Sequence, residues 1–231
     1  GGYGCNKVLP MLDYELIKDN PKIFMGFSDI TACLNSITQK TKMVSFHGPM
    51  LVSNKNGLIE FNMRIMQQVL SGTSDMIIDT PKETPAHILK SGAGKGPLWG
   101  GNMTLLINRL GTKDNINTDG AILFLEDISE YLYSFERMLI HMKNAGMFDK
   151  IVGLVFGELK DLKEEDIPFG KSSDEIIMDI CGELEIPIVS NYPCGHGKYQ
   201  ATLPLSIPAE LNANDHKPYL TILESAVNKD E

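Results

Sequence analysis

Long apolar runs are missing from this chain of 231 residues, and with them any segment long enough to span a membrane as a helix. Positive charge is short too. Lys and Arg number 21 against 30 Asp and Glu, a formal net charge of −9. With no basic stripe to neutralise phosphates, a nucleic-acid surface is excluded. Cysteine is sparse: Cys5, Cys33, Cys181 and Cys194 stand singly, with no C-x-x-C pair. That pattern reads as free, mostly buried thiols in a reducing compartment, not as a disulfide framework. No H-x-x-x-H or Cys/His cluster offers a metal site. The glycine-rich loops GGYG (1–4) and WGGN (99–102) match neither phosphate-binding fingerprint. Neither metal nor cofactor is expected. A starting methionine is also lacking: the chain opens as GGYGCNK, which reads as the remainder of a longer protein cut inside a glycine-rich loop.

What is present is a core, at 42% hydrophobic residues, and a regular alternation of patterns. The stretch KIFMGFSDITACLNSITQ (22–39) organises the rest. An apolar run, Ile23 to Phe27, stops at Ser28 and Asp29, and Ile30, Cys33, Leu34 and Ile37 then follow helical spacing. This predicts a strand, a sharp turn and a helix. Such a turn lifts a serine Oγ above the carboxyl edge of a sheet beside the free N–H groups of a helix start. The competing reading is that Ser28 only caps the helix, a commoner fate for serine. The G-x-S-x-G pattern is incomplete, since Ile30 holds the place of its second glycine.

In order, Val8 to Ile17 predicts one short helix, 43–46 a strand and 59–70 a helix. From about Gly72 to Gly96 the pattern dissolves into Ser, Thr, Pro, Gly and Lys, the best candidate for a linker, with 76–79 and 87–89 as short strands within it. A helix is predicted from Asn102 to Gly111, strands at 121–127, 151–159 and 186–191, and helices around 135–146 and 174–184. YLTIL near the end gives a last strand, followed by a charged tail, NKDE. Alternation of this kind means an α/β architecture with largely parallel pairing.

In α/β sheets chemistry collects where strands end. The polar groups following strand-like runs are Ser28, His47, Glu126 with Asp127, Glu158 and His196. A hydroxyl, an imidazole and a carboxylate are what a nucleophile, its base and the group orienting that base require. From the residues alone the choice between His47 and His196, and among the three acids, stays open. His87, His141 and His216 are background.

Together, GGYG (1–4), KIFMGFSDITACL (22–34), FHGP (46–49), LWGGNMTLL (98–106), LFLED (123–127), YSFERML (133–139) and GHGKYQATLPL (195–205) resemble the LD-carboxypeptidase family. These serine peptidases include muramoyltetrapeptide carboxypeptidases and microcin-immunity hydrolases. The resemblance runs from residue 1 to about 207. It implies Ser28 as nucleophile, Glu126 as the orienting acid and His196 as the base, with backbone N–H groups of Asp29 and Gly2 forming an oxyanion hole. It also implies an N-terminal α/β domain carrying the serine (1–75), a linker (76–95) and a C-terminal α/β domain carrying acid and base (96–231), the site lying between them. Further strands and helices would precede residue 1. Trp99, Asn102, Lys198 and Arg137 are the candidates for holding substrate. Cys5 and Ser206 depart from the residues usual at those places, and neither belongs to the triad.

The expected activity is removal of the terminal D-alanine from murein tetrapeptides in cell-wall recycling, by a cytoplasmic homodimer. The alternatives are hydrolysis of peptidyl- or aminoacyl-nucleotides and, in another class, an inactive peptide-binding or dimeric relative.

Overall fold

The computed structural model describes residues 2–50 and 57–228, so Gly1 of the GGYG motif and the end of the charged tail (229–231) lie outside the described residues. The single helix expected over 8–17 is two. Helix α1, Cys5–Val8, runs into a 3₁₀ turn at Leu9–Met11, where Pro10 takes a first-turn place that needs no N–H. Helix α2, Tyr14–Asp19, starts afresh where the Asp13 carboxylate accepts from the Leu16 N–H at 2.9 Å.

Strand β1 is short, Met25–Gly26, and leads through a 3₁₀ turn at Ser28–Ile30 into helix α3, Thr31–Thr41. Strand β2, Phe46–His47, sits later than the predicted 43–46 and pairs parallel with β1. Helix α3 is buried on nearly every side, so its polar residues need partners. Asn35 Nδ2 donates to the Gly100 carbonyl at 2.9 Å, and the Thr38 and Ser45 hydroxyls meet at 2.7 Å. The Arg109 guanidinium donates to the Ala32 carbonyl and to Ser36 Oγ, each at 2.8 Å. Helix α4, Glu60–Leu70, buries Asn62, Ile65 and Val69.

All but one strand of the rest builds one wide sheet. The remaining elements are β3 (Met76–Ile78), β4 (His87–Lys90), β5 (Ala93–Asn102), α5 (Met103–Ile107), β6 (Ile122–Ile128), α6 (Leu132–Asn144), β7 (Gly153–Lys160), α7 (Ser173–Cys181), β8 (Ile188–Gly195), β9 (Leu203–Pro204), β10 (Pro208–Asn212) and β11 (Tyr219–Ile222). The order across the large sheet is β3-β11-β10-β5-β6-β7-β8-β4. Strands β5 to β8 are parallel, and the flanking strands pair antiparallel. A small sheet, β1-β2-β9, takes its third strand from late in the chain. Strands β9 and β10 were not anticipated.

Two of the three glycines of SGAGKG, Gly94 and Gly96, sit inside β5. A Cβ at Gly94 would overlap the Val152 carbonyl, and one at Gly96 the Gly120 carbonyl, so neighbouring backbone comes closer there than any side chain permits. One core cluster spans both sheets, joining Leu34, Phe46, Leu203 and Leu205 to Leu98, Ile122 and Phe124. A second lies on the other face of the large sheet, beneath α5, α6 and α7.

Candidate active site

Ser28 has φ 67°, in the left-handed region that a β-carbon disfavours. The preceding strand allows the sharp turn because Gly26 has no side chain: a Cβ there would lie 2.6 Å from Ile30 Cγ2. Helix caps take extended backbone. The extended residue at this turn is Phe27 (φ −151°, ψ −178°), so the capping role for Ser28 falls. Ser28 is half-buried, at the mouth of a strained strand-to-helix turn.

Side chains alternate along β6. Phe124 faces the core that spans both sheets, Leu123 and Leu125 face the helices, and Glu126 and Asp127 therefore part company. Asp127 is fully engaged. It accepts from Asn102 Nδ2 at 3.0 Å, from the Thr104 N–H at 3.0 Å and hydroxyl at 2.9 Å, and from the Ile128 N–H at 2.9 Å. It thus fixes the start of α5. Glu126, completely buried, lies with Oε2 2.7 Å from His196 Nδ1. Burial raises the Glu126 carboxyl above its ordinary value, and hydrogen bonding and charge from His196, with help from Asn102, oppose the rise. Glu158 lies beside the His196 loop, in register with Gly195 and with its carboxylate against Gly197, but it pairs with Lys160 Nζ at 3.5 Å.

His196 follows directly on β8, in a loop with flanking glycines, its side chain 14% exposed. Two contacts hold it that the sequence did not reveal. The Phe27 ring meets the imidazole edge-on, with centroids 4.8 Å apart at 71°. Asn62 of α4 clamps the loop, accepting from the Gln200 N–H at 2.8 Å and donating to the Lys198 carbonyl at 3.3 Å. A polar residue on the apolar face of α4, three before Ile65, was the one signal available for it.

His47 is buried, 5.1 Å from the Phe124 ring and 6.4 Å from Phe27, and neither ring nitrogen finds a hydrogen-bond partner among the described residues. Burial pulls its pKa down to about 3, and the nearby His196 pushes the same way. It is a neutral packing group, and the acid faces His196 instead.

The remaining candidates scatter. Asn102 caps α5, accepting from the Leu105 N–H at 3.3 Å, and pairs in register with Glu126. Trp99 lies mid-strand on β5, packed against the cluster beneath the helices. The exposed Lys198 holds its ammonium 4.9 Å from the Tyr199 ring, and Arg137 lies over Tyr133 at 5.6 Å. Gly2 is exposed with φ 112°, and Asp29 is buried. Asn102, Glu126 and His196 therefore meet at strand ends, and Phe27, next to Ser28 in the chain, reaches His196, while Trp99 does not join them. No three His, Cys, Asp or Glu side chains are grouped to hold a metal among the described residues.

A left-handed serine turn whose neighbour Phe27 touches His196, itself paired with the buried Glu126, stands at the edge of a mixed α/β sheet, an arrangement of the kind hydrolases use. The pattern of the LD-carboxypeptidase N-terminal domain matches residues 1–48, and that of the C-terminal domain matches residues 95–211; the chain belongs to the LD-carboxypeptidase family. A probable murein peptide carboxypeptidase of Bacillus subtilis is 30% identical over 99% of this chain and 71% of its own length. The crystal structure of muramoyltetrapeptide carboxypeptidase from Oxalobacter formigenes superposes with a TM-score of 0.84 at 32% identity, covering 97% of this chain and 76% of that one. The microcin C7 self-immunity protein MccF of Escherichia coli is 26% identical over 96% of this chain and 72% of its own. MccF solved with aspartyl sulfamoyl adenosine superposes at TM-score 0.87 and 25% identity, over 99% and 75% of the two chains.

Proposed function

We propose that this chain is a serine-type LD-carboxypeptidase removing the terminal D-alanine from murein tetrapeptides. The observation that carries this is the 2.7 Å Glu126–His196 pair set beside the left-handed turn at Ser28. In this reading His196 takes the proton from Ser28 Oγ as it attacks the scissile carbonyl. Glu126 holds the Nδ1–H tautomer and stabilises the imidazolium. The N–H groups of Asp29 and Gly2 receive the developing oxyanion. His196 then returns the proton to the leaving D-alanine amine and activates the water that frees the acyl group from Ser28. Asn102, Lys198 and Arg137 are the groups offered to substrate. Trp99, half-buried against the cluster beneath the helices, is a weaker candidate.

The division into a nucleophile part (1–75), a linker (76–95) and an acid-and-base part (96–231) belongs to the same proposal, supported by the two separate family matches. A cytoplasmic location is supported by four free cysteines. A homodimer rests on the resemblance alone. Among the described residues no helix is long and apolar enough to cross a membrane.

The test compares this chain with its Ser28→Ala variant on muramoyl tetrapeptide, following D-alanine release. Release by the parent and not by the variant is expected, and equal release by both removes Ser28 as nucleophile. The likeness to MccF bound to aspartyl sulfamoyl adenosine supports a second reading, hydrolysis of aminoacyl-nucleotide amides. A substrate panel showing turnover of those alone would replace the first reading. No turnover of any of them, with peptide binding intact, would leave a binding protein.

A further inference from the structure

We propose that the Asp29 side chain is a positioning residue that locks the GGYG loop onto the nucleophile turn, so that one residue sets the spacing of both oxyanion donors. This rests on the carboxypeptidase reading. Asp29 is 6% exposed, and a carboxylate buried so far demands a donor. It accepts from the backbone N–H of Cys5, 24 residues away, at 2.9 Å. A charge-assisted bond of this kind is about twice as strong as a neutral one.

Ahead of Cys5, which also packs against the cluster of Ala32, Cys33 and Ile37, the described part of the loop is open. Gly2 and Gly4 carry φ 112° and 120°, and nothing lies within 4 Å of where a Cβ would stand on either. Tyr3, between them, is 87% exposed. Helix α1 has no side-chain cap of its own from Gly4, so the Asp29 carboxylate fills that place from outside. The Cys5 thiol lies against the same carboxylate; burial first, and Asp29 next, push its pKa up to about 12, which keeps it a neutral thiol. The backbone N–H of Asp29 belongs to the serine turn, and its side chain reaches the loop that carries Gly2. Both arms of the oxyanion site thereby meet in one residue.

The experiment uses Asp29→Ala and Asp29→Asn in the intact chain. Loss of a donor that acts only on the transition state lowers kcat and kcat/KM together. Asp29→Ala is therefore expected to lose about a hundredfold in kcat, the loss of one donor. KM and the pH midpoints set by the triad should stay unmoved. Asp29→Asn keeps an acceptor oxygen and should recover most of the rate. Amide hydrogen exchange at Cys5 reads the tether without reference to activity, and it should quicken in Asp29→Ala. A parent-like rate in Asp29→Ala, an Asn variant as impaired as the Ala variant, or unchanged Cys5 exchange would each overturn the proposal. Should the parent itself release no D-alanine, Cys5 exchange still decides the tether, and it is the carboxypeptidase reading that fails.

Discussion

Three consecutive residues, Phe27, Ser28 and Asp29, each reach a different part of the site: the imidazole, the solvent-facing mouth and the glycine loop. The middle one bears the conformational cost. A side chain in the left-handed region costs roughly 1–2 kcal/mol. Ser28→Gly should therefore be more stable than Ser28→Ala by about 1 kcal/mol in denaturant melts, with both inactive. Equal stability would mean the turn is not strained. Glu126 pulls the other way. Its carboxyl is raised by burial, so the stability it contributes is full below the ordinary glutamate value of 4.5 and is lost as pH rises through the raised one. At neutral pH a buried carboxylate is a burden that Glu126→Gln relieves. That variant should melt higher at pH 7, the gap closing towards pH 4, while turnover falls roughly a hundred- to ten-thousandfold. A variant that melts lower at pH 7 would show that the ion pair outweighs the desolvation.

At the scale of elements, helices were the most legible parts because a 3.6-residue period survives in the sequence. Helix α7 shows it, along with a full capping box in which Ser172 and Glu175 satisfy each other's backbone donors. Ser172→Ala should cost about 1 kcal/mol by chemical denaturation and leave turnover untouched. Strand β5 was illegible for a physical reason: its glycines look like a linker, yet they are there to admit the Val152 and Gly120 carbonyls. Gly94→Ala should accordingly destabilise the fold by more than about 2 kcal/mol, where a true linker would tolerate it; a null effect in thermal melts would contradict the close packing. Strand β9 is two residues long and ends in proline, too little for any alternation to register. In the candidate site, the groups after strand ends were readable as such. Which histidine meets which acid came from the family resemblance and not from spacing, and Asn62 and Phe27 were not readable at all, because their partners lie 138 and 169 positions away (200 − 62 and 196 − 27).

Across the whole molecule, His47 sits where the two sheets meet, on β2 and against Phe124 of β6. Its pKa is about 3 in the fold against an ordinary 6.5, so its contribution is full above 6.5 and drains away as the pH falls from 6.5 towards 3. At about 1.4 kcal/mol per unit, the loss is at most roughly 5 kcal/mol. Melting the parent and His47→Met from pH 7 to pH 4 should show the parent losing stability faster on the acid side, and parallel curves would remove His47 from the account. The chain leaves the His196 loop and immediately lays β9 against β2 before returning to the large sheet as β10. Whoever divides this protein between residues 75 and 96 will therefore carry one strand of the serine's sheet away with the wrong piece. Two such fragments would regain order only by finding each other, each serving as a template for its counterpart.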